Sequence, residues 1–458
     1  MNTDIFRAYD IRGIADTDLT DPVVEQIGRA IATMAIRQGR ERPRVGIGRD
    51  ARRSSNRIYE ALERGFHRAG AHVVNLGVVP TPLTYFANYQ RDFDAAVQIT
   101  GSHNPGEYNG FKMMIGKETL HGDDIQQIRQ LIEDGDLASS DDDLGTSAMA
   151  ELRKTYIEWV RDDITMGDRK LRIAVDSGNG VAGVVAPELL HDAIGAKVHE
   201  LYSEPDGSFP NHHPDPTVEE NLEDLIDAVK TEDCDFGVAY DGDGDRLGVV
   251  DEEGNVIWGD KLLIIFARQV LKDHPGATII GEVKCSQTLF DDIEKQGGTP
   301  VMARVGHSLI KAKLRETNAE LAGEMSGHIF FNDRFFGFDD ALYATCRLAE
   351  ILSRTNQPLS SLLADVPVTY ATPEIRQPCD EQLKFDIPGH VADVFAGDYE
   401  VNTIDGVRVK FNHGWGLVRA SNTQPVVVLR AEGDSPESRD RYMELLEQAV
   451  ADAEKKLG

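Results

Sequence analysis

Residues 235–246 read DFGVAYDGDGDR: a short apolar run that stops at three aspartates in alternate positions, spaced by glycines. The run has the length and composition of a buried strand. The glycines let the backbone beyond it curl tightly, so that Asp241, Asp243 and Asp245 can turn their carboxylates toward one hard cation. This strand closes a unit. LRIAVDSGNG (171–180) and GAKVHELY (195–202) precede it, with a helical stretch between. The same order recurs in RVGIG (44–48), GAHVVNLG (70–77) and AAVQITGSHNP (95–105), and again in ATIIGEVKC (277–285), GGTPVMARVGHS (297–308) and AELAGEMSGH (319–328). Strands alternating with helical stretches predict three similar α/β domains with mixed or largely parallel sheets. Each delivers one polar loop to the carboxyl edge of its sheet, where such sheets handle ligands.

From about Pro367 the pattern changes to short strands with turn signals (IDGVRVKF, GWGLVRAS, PVVVLRAEGD) and one long helix with Ser435 as N-cap and Pro436 as its first residue. A separate α+β domain is expected there. The acidic stretch DLASSDDDLG (136–145) and the turn DEEGN (251–255) mark boundaries, which gives domains 1–149, 150–254, 255–366 and 367–458.

Composition narrows the function. With 458 residues the chain exceeds a single core, and 41% hydrophobic residues suit a folded globular protein. The start, MNTDIFRAYDIRG, lacks the basic-then-apolar order of a signal peptide, and apolar runs such as Leu262 to Ala267 are too short to span a bilayer. Cys234, Cys285, Cys346 and Cys379 form no CxxC pair, which argues against a disulfide framework or a zinc site and for a cytoplasmic protein. The net charge of −30 repels nucleic acid and anionic membranes, so neither is an expected partner. If the substrate is a phosphate ester, cations must be concentrated locally against that field. Lysine is half as frequent as arginine, which fits a saline cytoplasm or ordinary acidic drift equally well.

Four loops carry the chemistry. DGDGDR has an EF-hand alternative, because Glu252 falls at the twelfth position, but Arg246 stands where that loop needs glycine and both flanks read as strands. Three carboxylates leave coordination free for water or a phosphate oxygen, which suits Mg²⁺. TGSHNP (100–105) exposes Ser102 beside His103 and Asn104; alone it reads more readily as a turn, and it gains chemical meaning from the metal loop of the next repeat. GEMSGH (323–328) groups a carboxylate, a hydroxyl and an imidazole, suited to sugar hydroxyls and proton movement or to a capped turn. RASNTQP (419–425) combines a guanidinium with short polar side chains, as a phosphate grip would or as a turn would. Arg7, Arg12, Lys112, Arg246, Lys284 and His307 are the cations adjoining these loops.

FRAYDIRG (6–13), TGSHNP with YNGFK (108–112), DGDGDR, GEMSGH and GWGLVRASNTQP (414–425), with NHHPDP (211–216) and GFDDALY (337–343) between them, occur in the order of the α-D-phosphohexomutase superfamily. The chain resembles it over essentially its whole length, and most resembles the bacterial bifunctional phosphomannomutase/phosphoglucomutase group. The resemblance implies three α/β domains and a C-terminal domain around a central cleft. It implies Ser102 as phosphoserine and, with its phosphate, Asp241, Asp243 and Asp245 as ligands of one Mg²⁺. Arg12, His103, Lys112 and Arg246 fall at the transfer centre, and His328 is a proton-transfer candidate. Glu324 and Ser326 would contact sugar hydroxyls, and Tyr9, Lys284 and His307 are further substrate contacts. Arg419, Ser421, Asn422 and Thr423 would grip the distal phosphate; Gln424 departs from the smaller hydroxyl residue expected there. Met325 of GEMSGH favours mannose and glucose phosphates over glucosamine phosphates. The implied reaction interconverts hexose 1- and 6-phosphates through a hexose 1,6-bisphosphate, by a monomer or weak homo-oligomer. A phosphoglucosamine mutase and a Mg²⁺-dependent sugar phosphatase are the rival readings.

Overall fold

In a computed structural model, residues 1–140, 144–421 and 425–458 are described. The chain builds one kind of sheet three times. In the first, strand Arg44–Arg49 runs parallel to both His72–Val78 and Ala95–Ile99, and Tyr108–Ile115 returns antiparallel beside Ala95–Ile99. In the second, Arg172–Asp176 lies between Lys197–Leu201 and Phe236–Tyr240, with Leu247–Asp251 returning antiparallel. In the third, Thr278–Glu282 lies between Thr299–Ala303 and Leu321–Gly323, with Ile329–Phe331 antiparallel. The expected parallel strands are present, and each unit adds an antiparallel fourth. Each polar loop is therefore the turn that joins a buried third strand to its antiparallel partner.

The third strands are buried throughout because helices cover both faces: this holds for every residue of Ala95–Ile99, Phe236–Tyr240 and Leu321–Gly323, and the Gln98 amide is satisfied by the Thr84 hydroxyl and the Val79 carbonyl. One continuous hydrophobic cluster runs from Leu83 and Phe86 of the first unit through Tyr156, Val175 and Val238 to Leu263, Phe331 and Tyr343 of the third. The three units are thus packed on a common interior, and close packing fixes the relative position of their loops. Strand Ile11–Ile14 pairs with the outer edge of Tyr108–Ile115, placing Arg12 opposite Gly110 and carrying the FRAYDIRG segment to the first loop.

The C-terminal unit is an antiparallel sheet centred on Val407–Phe411, Gly414–Ala420 and Val426–Gly433, with a core of its own that includes Val409, Val418, Leu429 and Leu446. Two helices pack on it, Pro436–Leu457 and a shorter one, Ile387–Phe395, beyond the single helix expected. It docks on the third unit through Arg408, buried, which donates to the carbonyls of Val283 (2.5 Å) and Cys285 (2.8 Å) and lies over the Trp415 ring at 3.8 Å. Among the described residues no helix is long and apolar enough to cross a membrane, and all four cysteines are free thiols.

The last helix starts as its sequence predicts: Ser435 Oγ accepts the Ser438 N–H at 3.1 Å. Ser435→Ala is expected to destabilise the C-terminal unit by about 1 kcal/mol, read as a lower urea midpoint, with turnover of the folded protein unchanged.

Candidate active site

Ser102 sits at the first hairpin turn, 2% exposed, with φ of 49°, in the left-handed region that a non-glycine residue seldom occupies. Its Oγ donates to Asp241 Oδ2 at 2.6 Å and lies 3.1 Å from His103 Nδ1. Burial, and then the charges of Arg246, Arg12 and Lys112, push the His103 pKa well below its ordinary value, so its imidazole is neutral. The loop is held from inside by Arg52, whose guanidinium binds its carbonyls.

The second turn meets the first directly. Gly242 packs so closely on the serine loop that a Cβ there would lie 2.5 Å from the Ser102 carbonyl oxygen. Asp241 Oδ1 accepts the N–H groups of Gly244, Asp245 and Arg246 at 3.0, 3.2 and 3.2 Å, which curls the loop. Ligand oxygens of Asp241, Asp243 and Asp245 lie within 4.8 Å of one another, fully buried. Lys112 Nζ reaches Asp243 Oδ2 at 2.7 Å and also binds Asp245 Oδ2, while Thr81 Oγ1 donates to Asp243 Oδ2 at 2.5 Å. Burial, and then repulsion by Asp243 and Asp245, raises the Asp241 carboxyl well above the usual range. Burial pushes Asp245 the same way, but Lys112 and His328 outweigh it and hold that carboxyl well below.

The residues fit a divalent cation. Asp243 Oδ1 and Asp245 Oδ1 are buried without a hydrogen-bond partner. A buried carboxylate oxygen left so is unstable unless a cation meets it. An all-oxygen donor set with three negative charges suits Mg²⁺. The EF-hand alternative fails on structure also: both flanks are strands, and Glu252 binds Ser360 instead of turning back to the loop.

The third turn abuts the second. Glu324 Oε1 accepts the Gly306 N–H at 2.7 Å, and Oε2 faces His328 Nδ1 at 2.9 Å. His328 Nε2 lies 3.3 Å from Asp245 Oδ1. Burial depresses the His328 pKa, but Asp245 and Glu324 outweigh it and raise it to about 9; the same pairing draws Glu324 down to about 2 against its own burial. His328 thus has a carboxylate on either side of its ring, Glu324 hydrogen-bonded at Nδ1 and Asp245 a charged neighbour of Nε2, while Arg246 Nε lies 3.4 Å from Nε2. Ser326 Oγ is 3.2 Å from His328 Nδ1.

The remaining sequence-selected residues form a rim. Arg12 donates to Asn104 Oδ1 (2.9 Å) and Asp10 Oδ2 (2.5 Å). The Tyr9 ring packs on Gly306, and the His307 ring lies 5.7 Å from that of His328. Lys284 pairs with Glu374 at 2.9 Å, next to Glu282, which accepts the Met325 N–H. Arg419 pairs with Asp405 at 3.1 Å, and that carboxylate also accepts the Val305 N–H, so the C-terminal loop adjoins the His307 segment. Ser421 is buried in that loop and its N–H bonds Val426 O at 3.0 Å. Asn422, Thr423 and Gln424 lie outside the described residues.

Several contributors escaped the sequence reading. Thr81 reaches Asp243 from the first unit. Lys311, 2.8 Å from Asp339, backs His307, whose Nδ1 is 3.4 Å from the same carboxylate. His213 Nε2 binds the His103 carbonyl, so NHHPDP is a brace of the serine loop.

Known proteins match this architecture throughout. Family profiles described as phosphoglucomutase/phosphomannomutase alpha/beta/alpha domains I, II and III and C-terminal domain match residues 3–139, 154–254, 258–370 and 374–449. A phosphomannomutase/phosphoglucomutase of Pseudomonas aeruginosa is 47% identical over 95% of this chain and 93% of its own. A phosphoglucomutase of Neisseria gonorrhoeae is 45% identical over 96% of this chain and 95% of its own. The crystal structure of a phosphoglucomutase/phosphomannomutase family protein from Burkholderia thailandensis superposes with a TM-score of 0.92 at 42% identity, covering 99% of this chain and 98% of that one. Three repeated α/β units and an antiparallel C-terminal unit are the build of an α-D-phosphohexomutase, an isomerase. The chain belongs to the phosphoglucomutase/phosphomannomutase family, close to its bacterial bifunctional members.

Gly242→Ala is expected to keep the fold yet force the metal loop off the serine loop, because the contact is with rigid backbone. A displacement of that kind should slow turnover about a hundredfold, measured as kcat beside an unchanged circular-dichroism spectrum.

Proposed function

We propose that the chain interconverts the 1- and 6-phosphates of glucose and of mannose, with Ser102 as phosphoryl carrier and the hexose 1,6-bisphosphate as intermediate and activator. The observation that supports this most is the 2.6 Å contact of Ser102 Oγ with Asp241 at the edge of a buried carboxylate cluster. One Mg²⁺ per chain, held by Asp241, Asp243, Asp245 and the phosphate on Ser102, would neutralise charge on the phosphoryl group.

This chain's own residues do the rest. In the forward step the bond from phosphorus to Ser102 Oγ breaks and a bond to the free sugar hydroxyl forms. The hydroxyl proton leaves, and Ser102 recovers one. His103, neutral and 3.1 Å from Oγ, is placed to exchange the serine proton. Lys112 and His328 line the other side of the cluster and carry protons there. Arg12 and Arg246 add positive charge at the transfer centre. Glu324 and Ser326 orient the ring through hydroxyls that glucose and mannose share, with Tyr9, Lys284 and His307 around them. Arg419 and Ser421, with Asn422 and Thr423, grip the phosphate not being transferred. The bisphosphate then reorients and returns its other phosphoryl group to Ser102. In this reading domains 1–149, 150–254, 255–366 and 367–458 contribute the carrier, the metal loop, the sugar loop and the distal grip. The free thiols and the acidic surface support a cytoplasmic protein, monomeric or weakly self-associating, with no nucleic-acid partner.

Phosphorus NMR of glucose 1-phosphate and mannose 1-phosphate with a trace of bisphosphate tests the reading. Conversion of both to 6-phosphates supports it. Release of inorganic phosphate as the main product would make the protein a phosphatase, and a preference for glucosamine 1-phosphate would move it to that subgroup. Arg419→Ala is expected to raise KM and lower kcat together, by about 2–5 kcal/mol in kcat/KM, with phosphate on Ser102 retained. Unchanged kinetics would remove this arginine from the grip.

A further inference from the structure

Arg52 lies just beyond strand Arg44–Arg49 and is 3% exposed. The guanidinium has five donors in one plane, and here all five are used. Nε donates to Asp50 Oδ2 at 3.0 Å. Nη1 donates to the carbonyls of Pro105 (2.5 Å) and Tyr108 (3.0 Å), and Nη2 to those of Ser102 (2.7 Å) and Asn104 (2.6 Å). Asp50 Oδ2 also accepts the Gly101 N–H at 3.1 Å. The fork and its carboxylate therefore fix the serine loop at both ends and under Ser102 itself.

Two further features belong to this arrangement. A Cβ at position 101 would lie 2.5 Å from the guanidinium carbon, so the glycine before Ser102 lets the planar group lie against the backbone. From the second unit, the Phe209 ring covers the guanidinium at 5.3 Å, and His213 Nε2 binds the His103 carbonyl. The left-handed conformation of Ser102 is unfavourable for a residue with a side chain and persists only where surrounding contacts over-determine it. Four charge-assisted bonds to loop carbonyls are such contacts.

We propose that Arg52 is a positioning residue for phosphoryl transfer: it locks the serine loop in its left-handed turn and aims Ser102 Oγ at Asp241, with Phe209 as its cover. The proposal rests on the reading of Ser102 as the phosphoryl carrier. Arg52 faces loop carbonyls and not the sugar loop, so its loss should slow transfer without weakening substrate binding.

The test is steady-state kinetics of Arg52→Lys and Phe209→Ala, with peptide mapping of phosphate and thermal melting of each. Lysine keeps the charge but has three donors and no plane. Arg52→Lys should lower kcat about a hundredfold per molecule phosphorylated on Ser102, with KM near wild type. Phe209→Ala should lower kcat to a lesser degree, again with KM held. If Arg52→Lys does not fold, Phe209→Ala decides by the same criterion. A near-wild-type kcat in the folded variants, or a loss seen only in KM, overturns the role of Arg52. Wild-type enzyme phosphorylated elsewhere than Ser102 overturns the carrier reading and this inference with it, and the same peptide map tells the two failures apart.

Discussion

Ser102 Oγ and Asp241 Oδ2 meet at 2.6 Å across the seam between the first and second α/β units. A hydroxyl and a carboxylate from residues so distant in sequence hold that distance only if their backbones cannot drift. Gly242 lies against the Ser102 carbonyl, Thr81 and Lys112 of the first unit bind Asp243 of the second, and the shared hydrophobic interior locks the sheets behind them. The third unit is tied in by His328, between Glu324 and Asp245. Each hairpin turn thus bears on the next.

The electrostatics have the same logic at larger scale. The chain carries a net charge of −30, yet it gathers cations where three loops converge, as a site for an anionic substrate would require. Lys112 and Arg246 are held charged by the aspartates around them, against the pull of burial. Buried ion pairs are weak evidence of stability, because desolvation offsets much of their attraction. Their value here is geometric: each carboxylate that binds an ammonium or a guanidinium also fixes a loop.

Much of this was legible in the sequence, for identifiable reasons. Strand, glycine and acidic loop leave a local pattern, so the three α/β units and their polar loops stand out. The residues singled out from GEMSGH and DGDGDR do come together in space. The antiparallel fourth strands were not legible as such, since YNGFKMMI or LGVVD is equally apolar in either direction. Arg52 was invisible for a different reason. It sits in GRDARRSS beside an ordinary arginine, Arg53, and nothing local says which guanidinium turns inward. Thr81 likewise reads as a helix start, and only the tertiary fold brings its hydroxyl to Asp243.

In the proposed reaction the serine loop and the aspartate loop act as one phosphoryl-transfer centre. This is tested most directly by single-turnover transfer of labelled phosphate from glucose 1,6-bisphosphate to the dephosphorylated enzyme, with the label located by peptide mapping. Label is expected on Ser102 in the presence of Mg²⁺, and almost none after chelation or in Asp243→Asn, with both proteins folded. Label on another residue, or undiminished labelling of Ser102 without the metal or in Asp243→Asn, would contradict it.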